Sequence, residues 1–551
     1  MKKRNIIIKP AAIILALGAV FMSFRAADEY FEISKNLEIF TSLYRELNTF
    51  YVDDTKPGEL MKTGIDAMLR SLDPYTVYYP ESKVEDFQFM TTGQYGGIGA
   101  LINTVDGKVT IAEPYENYPA AKAGLMAGDV ILKVDNKRVD GKNQDEISSF
   151  LKGQPGTDVT ITYSRPGNDA NQTTTLKREE VKIPDVPYFG MIDTETGYVK
   201  LNSFTQTAGT EVRNAVKELK DKQGMKKLML DLRGNGGGLL KEAVNIVNLF
   251  VPKGTEVVRT KGKIEEWNKV HNALYDPLDT DMPLVVIVDE MSASASEIVA
   301  GAIQDLDRGV VIGQTTYGKG LVQQTKDISY NSKLKITVAK YYIPSGRCIQ
   351  KLNYSEKNEQ GTADQIPDSL LKTFYTKAGR PVIDGRGIEP DVKVSATEYS
   401  NLLNGIMTNN LIFHFATEYR QKHPTIVDPE KFKLTAVEYD EFSKFVIARK
   451  FEYNTETEAF FNELMRISKE EKYFDTATAE FENLWKKIEP QKVEDLKRFE
   501  TEIREVLENE IVSRYYYQTG RLRHMLKSDP VLTRASAVLG GEYRDFLLKK
   551  N

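Results

Sequence analysis

Between residues 197 and 394 short apolar runs alternate with stretches of helical periodicity, and that alternation restricts the region to an α/β core. The runs fall at 197–201, 227–232 and 284–288, and the helical stretches at 208–220, 240–250 and 297–306. The junctions between runs and helices are crowded with small residues. One reads Leu228-Met-Leu-Asp-Leu-Arg-Gly-Asn-Gly-Gly-Gly-Leu-Leu240, a buried-looking strand entering a glycine turn that exposes several backbone N–H groups. Such a turn fits an oxyanion donor and equally an ordinary strand-to-helix connection.

The second junction is Pro283-Leu-Val-Val-Ile-Val-Asp289 followed by Glu290-Met-Ser-Ala-Ser-Ala-Ser-Glu-Ile-Val-Ala300. A tight Ser/Ala turn before a helix exposes a hydroxyl beside unsatisfied helix N-terminal N–H groups, so a nucleophile and an oxyanion hole can share it. Taken alone, capping is the simpler reading, since Ser294 and Glu297 have the spacing of a capping box.

The third junction, 311–324, sets Lys319 between Gly318 and Gly320. Gly313 to Lys319 fits the start of a phosphate-binding G-x-x-x-x-G-K loop, but Gly320 stands where the magnesium-holding Ser or Thr is required, and the following Leu-Val-Gln reads as strand. If 321–324 is extended, Lys319 and Gln323 project to one face, where Gln323 can orient the amine. A lysine acts as general base only when its amine is neutral, which burial favours. Of the 4 histidines, three lie in the helical tail, which leaves His271 as the one candidate for a Ser/His/Asp arrangement and disfavours it. The pairs Ser149/Lys152 and Ser369/Lys372 match a Ser-x-x-Lys dyad only in minimal form and read as surface residues.

The 551 residues allow several domains, and 41% hydrophobic with 28% charged residues is the composition of a globular chain. Lys and Arg are spread rather than clustered on a net charge of -5, which argues against nucleic acid as a partner. The single cysteine, Cys348, cannot form an internal disulfide, and no Cys/His spacing suits a structural zinc. Lys2, Lys3 and Arg4 followed by the apolar run 11–24 read as an export signal, cleaved or kept as an anchor. From 29 to 73, Phe31, Ile33, Leu37, Phe40, Leu43 and Leu47 recur at helical spacing, as in amphipathic helices packed on a body. From 95 to 165 short β-like runs alternate with glycine turns, opening with Tyr95-Gly-Gly-Ile-Gly-Ala100, whose N–H groups suit a carboxylate beside an open strand edge. The stretch 118–135, a short helix leading through Gly128-Asp129 into a strand, makes this module look like a PDZ domain. Beyond 397 the chain is charged and helix-periodic, and reads as a packing or oligomerisation arm, with a substrate-handling surface as the alternative.

Together and in this order, Leu72-Asp-Pro74, Gly96-Gly-Ile-Gly99, 231–238, Ser292-Ala-Ser-Ala-Ser-Glu297, Thr316-Tyr-Gly-Lys-Gly320 and Pro344-Ser-Gly-Arg347 closely resemble the C-terminal processing (tail-specific) serine peptidases. The resemblance spans 29–394. It implies an α/β, crotonase-like ββα peptidase core with a PDZ domain, followed here by a long α-helical extension. The implied organisation is a signal or anchor at 1–27, a helical segment at 28–86, PDZ at 87–166, peptidase core at 167–395 and extension at 396–551. It makes Ser294 the nucleophile, Lys319 the general base and Gln323 its orienting group. The implied oxyanion donors are Ala295 and a glycine among Gly236, Gly237 and Gly238, and Gly96, Gly97, Ile98 and Gly99 are assigned to the substrate tail. Asp305 is read as structural. The resemblance implies no metal and no other cofactor.

The expected partners are polypeptides with accessible, preferentially apolar C-termini, an activating adaptor or lipoprotein, and further copies of the chain. The expected location is the periplasm or the outer face of the inner membrane. Rival readings are a non-catalytic PDZ scaffold presenting protein tails and an acyl-CoA enzyme on the crotonase fold; the latter leaves the PDZ module unexplained.

Overall fold

The computed structural model describes residues 10–358, 360–449, 451, 453, 455–489 and 491–548, with side chains from residue 30 onward. Lys2, Lys3 and Arg4 lie outside the described residues, as do the side chains of the apolar run 11–24. The chain divides into two compact units, Met1–Tyr78 and Tyr79–Asn551. In the first, helix Pro10–Phe50 precedes helix Pro57–Arg70, which starts on proline because its first turn needs no N–H donor there. Tyr44 donates to the Pro57 carbonyl at 2.6 Å. The stripe Phe31, Ile33, Leu37, Phe40, Leu43 and Leu47 is exposed rather than packed, since the 14-residue neighbour Pro57–Arg70 is too short to cover it. Among the described residues no helix is long and apolar enough to cross a membrane.

The second unit opens with a small β module. Strands Ala100–Val105, Lys108–Pro114, Val130–Val134, Asp158–Ser164 and Gln172–Lys177 follow one another in a single sheet. Their alternate residues Ile111, Ile131, Val159 and Ile161 close on Ile147 of helix Gln144–Leu151, capped reciprocally by Asn143 and Glu146. The sheet continues past residue 166, because Asp158–Ser164 pairs antiparallel with Gln172–Lys177. That last strand, Gln-Thr-Thr-Thr-Leu-Lys, is too polar to read as β from an apolar pattern.

The expected α/β core follows. Tyr188–Met191 runs antiparallel to Thr196–Lys200, and Lys227–Asp231, Leu284–Val288, Val310–Gly313 and Val392–Lys393 add in parallel. The central strands are buried on both faces, which is why they read as unbroken apolar runs. Leu284, Val286 and Val288 face helices Ala208–Gln223, Leu240–Asn248 and Ala295–Asp305. Val285 and Ile287 face Val531, Leu532, Ala535, Val538 and Leu539 from the end of the chain. A second, antiparallel sheet orders Lys269–Asn272, Glu256–Gly262, Lys333–Tyr342 and Leu321–Asp327 side by side.

From Asn401 onward the chain is helical, with its own core around Phe415, Phe442, Ile503 and Ile511. These helices also touch the β module. Arg521 lies 3.2 Å from Glu113 and His414 2.7 Å from Asp106.

Candidate active site

Three turns meet at the C-terminal ends of the parallel strands, where open α/β sheets place their sites. The Ser-Ala-Ser-Ala-Ser turn is sewn to the glycine turn by its outer serines. Ser292 Oγ donates to the Leu232 carbonyl at 2.9 Å, and Ser296 Oγ donates to the Asn235 carbonyl at 2.8 Å. Both side chains are fully buried. Ala293 N–H reaches the same Asn235 carbonyl at 3.1 Å. Ser294, between them, is partly exposed and held at φ 56°, ψ -111°, outside the usual regions for a side chain with a Cβ. Such strain, fixed by buried neighbours, is characteristic of functional turns.

The glycine turn lies directly against this serine. A Cβ on Gly237, at φ +99°, would fall 2.8 Å from Ser294 Cβ and 2.9 Å from Ala295 N. Gly237 N–H donates to Asn235 Oδ1 at 2.9 Å. Of the three glycines, Gly236 and Gly238 are exposed.

Glu297 joins the serine turn to the lysine turn. Its Oε2 accepts from Ser294 N–H at 2.8 Å and from Lys319 N–H at 2.9 Å. Its Oε1 accepts from Thr316 Oγ1 at 2.6 Å and Gly318 N–H at 2.7 Å. The capping spacing is therefore real, but the carboxylate also gathers a segment that sequence spacing alone does not link to it. Burial pushes the Glu297 carboxyl up to about 7, against the pull of these donors. Gly320 cannot carry a side chain, because its Cβ would fall 2.8 Å from Gln350 N.

Ser294, Lys319, Gln323 and Gly236 to Gly238 all line one cleft of about 1040 Å³. Leu321–Asp327 is a strand, as required against a phosphate loop. Gln323 Nε2 donates to Thr337 Oγ1 at 3.1 Å on the neighbouring strand. Tyr341 O–H donates to the Ser294 carbonyl at 3.2 Å. His271 lines the cleft too; burial and then Lys269 push its imidazole below its usual value. Lys335, also lining it, is pushed below the usual lysine range by burial. Sequence reasoning did not single out Tyr341 or Lys335, and the register shift between Thr337 and Ala339 left no simple alternation by which to find them. Among the described residues no group of three or more His, Cys, Asp or Glu is arranged to hold a metal.

The other candidates lie away from this cleft. Lys152 pairs with Asp86 at 2.8 Å, and Ser149 and Ser369 are exposed. Asp305 is fully buried against Arg347 at 2.9 Å and accepts from Ser345 N–H, tying the serine-bearing helix to the 344–347 turn. Gly96 and Gly97 are not at an open edge: they pair with Glu180 and Glu179, and the Gly96 carbonyl accepts from Gly153 N–H. The carbonyls of Ile98 and Gly99 accept from Ala120 and Tyr115. The open edge begins one residue later, at Ala100–Val105, the outer strand of its sheet.

Sequence comparison finds three matching profiles: "Peptidase family S41" at 195–356, "PDZ domain" at 96–177, and "Probable PDZ-protease, C-terminal helical domain" at 402–539. A "Carboxy-terminal-processing protease" of Bartonella bacilliformis is 35% identical over 319 residues, 57% of this chain and 73% of that protein. A "Probable CtpA-like serine protease" of Staphylococcus aureus is 32% identical over 394 residues, 71% of each chain. The solved photosystem II D1 C-terminal processing protease aligns at 29% identity over 65% of this chain and 92% of its own, with a TM-score of 0.35.

Proposed function

The chain belongs to peptidase family S41, and from that premise we propose that it is a serine endopeptidase cutting exported polypeptides near their C-termini, with Ser294 as nucleophile and Lys319 as general base. The observation that carries the pairing is the single Glu297 oxygen accepting from both backbones, with both side chains lining the one cleft. In the reaction neutral Lys319 takes the Ser294 hydroxyl proton, the oxygen attacks the peptide carbonyl, and N–H groups of Ala295 and the glycine turn hold the oxyanion. Gly236 and Gly238 are better placed as donors than Gly237, whose N–H is bonded to Asn235. The leaving amine receives the proton from Lys319, which, neutral again, deprotonates the water that hydrolyses the acyl-enzyme and then returns the proton to Ser294 Oγ. Gln323, which lines the same cleft four residues after Lys319, is the orienting group. The PDZ domain takes the substrate tail by strand addition, and the edge Ala100–Val105 supports that mode.

The same reading makes the chain exported, in the periplasm or anchored to the outer face of the inner membrane. It also includes an activating adaptor or lipoprotein, and self-association.

The test is cleavage of a denatured model protein, with a tail peptide added in parallel, by wild type, Ser294→Ala, Lys319→Ala and His271→Ala. Loss of at least about 10,000-fold in the first two, with His271→Ala active, is expected. Inactivity of Ser294→Ala and His271→Ala with Lys319→Ala still cutting would move the base to histidine. A wild type that binds tails but never cuts would favour the scaffold.

A further inference from the structure

Charge in the cleft is lopsided. Besides the general base Lys319 and the imidazole of His271, its lining carries Lys241, Lys269 and Lys335 against one carboxylate, Glu242. That carboxylate is already engaged, accepting from Gly209 N–H at 2.9 Å and from Asn245 Nδ2 at 2.9 Å, and it is 6% exposed. The whole chain has a net charge of -5, so the excess of cations belongs to the cleft and not to the protein at large.

Lys335 is the member of this set placed to meet a bound peptide. It stands in strand Lys333–Tyr342 opposite Thr325, and two residues further along Thr337 stands opposite Gln323. Lys335 and Thr337 share a face, and although a register shift follows between Thr337 and Ala339, Lys335, Ala339 and Tyr341 all line the cleft, where Tyr341 bonds the Ser294 carbonyl. Lys335 is therefore about 7 Å along the strand from the residue that holds Gln323. An extended substrate passes a side chain near it roughly two residues from that level. Among the described residues no carboxylate pairs with its amine, and burial already disfavours the lone cation. A partly desolvated ammonium gains most from an anionic partner, and the substrate can bring one.

We propose that the cleft selects polypeptides bearing an acidic side chain a few residues from the scissile bond, with Lys335 as the cation that receives it. The proposal rests on the peptidase reading and names its substrate class.

The test uses C-terminally amidated peptides, which give the PDZ domain no carboxylate, with one Glu, Gln or Lys moved through successive positions. Wild type is expected to cut the Glu peptide about tenfold faster in kcat/KM than the Gln peptide at one position, with the ratio falling as salt is added. Lys335→Gln and the stem-preserving Lys335→Met should bring the Glu/Gln ratio to about one, and Lys335→Glu should invert it in favour of the Lys peptide. Binding of the same peptides to Ser294→Ala is measured alongside. If no peptide is cut, the denatured-protein assay with added tail peptide decides the peptidase reading, and the Glu/Gln ratio of affinities for Ser294→Ala alone decides the subsite. Equal treatment of Glu and Gln at every position, or a preference that survives in Lys335→Gln, overturns the proposal.

Discussion

Four donors converge on the Glu297 carboxylate, which is 0% exposed: the N–H groups of Ser294, Gly318 and Lys319 and the Thr316 hydroxyl. Only the ionised form can accept from all four, yet burial raises its pKa from 4.5 to about 7. The two facts have opposite signs. Because the folded state binds this proton more tightly than the unfolded chain, Glu297 favours folding fully below pH 4.5, and that contribution, about 3 kcal/mol, is lost as pH rises to about 7. Activity should run the other way, rising through pH 7 as the carboxylate ionises and fixes both turns. Glu297→Gln places an amide NH₂ against some of these donors, so the rate should fall about 10- to 100-fold and the limb near pH 7 should disappear. Its melting temperature should also change less between pH 4.5 and 7 than that of wild type. Rate profiles and thermal melts over that range check both; a limb persisting in Glu297→Gln would belong to another group.

At the scale of elements, the site is a contact between two strand-to-helix turns, and Gly237 is where they touch. Gly237→Ala combines φ +99° with a Cβ 2.7 Å from the Ala293 carbonyl oxygen and 2.8 Å from Ser294 Cβ. The turns must part, so stability should drop by about 1–3 kcal/mol and turnover by at least about 100-fold. Gly236→Ala meets nothing within 4 Å and should cost less stability, which denaturant melts of the two variants compare directly. The existence of these turns was legible in the sequence, because buried parallel strands leave apolar runs and their junctions need small residues. The division of labour within Ser-Ala-Ser-Ala-Ser was not, since the carbonyls that hold Ser292 and Ser296 belong to Leu232 and Asn235 on the preceding strand's turn. The open edge expected beside Gly96–Gly99 begins at Ala100, but the pairing of Gly96 and Gly97 themselves was hidden for a related reason. A glycine pattern reveals where backbone can be approached closely, but not that Glu179–Lys182 returns to occupy that place.

Across the second unit, the helical extension is the part whose purpose sequence reasoning left unassigned, because its apolar residues give no sign of what they cover. The structure ties it to the core at three points. Leu532 and its neighbours bury the outer face of the parallel sheet, the Tyr543 hydroxyl meets the Leu284 N–H and the Arg308 carbonyl, and Asp529 lies 2.6 Å from Arg233. Arg233 immediately precedes the glycine turn and also grips Asp231. Burial works against that buried carboxylate's charge, but Lys200 and Arg233 hold it well below the usual range. Asp529 thus reaches from the extension to the root of the turn that frames Ser294. It also caps helix Pro530–Ala537 through Oδ1, leaving Oδ2 for Arg233. Asp529→Asn keeps the cap and removes the charge, so kcat should fall about tenfold with little change in KM or melting temperature. Leu532→Ala instead opens a void under the sheet and should lower the unfolding free energy by about 2–5 kcal/mol, with kcat per folded molecule retained. Kinetics and melts of both variants separate a positioning role from simple packing. A kcat loss in Asp529→Asn that only tracked lost stability, as in Leu532→Ala, would reduce the extension to a cover for the sheet.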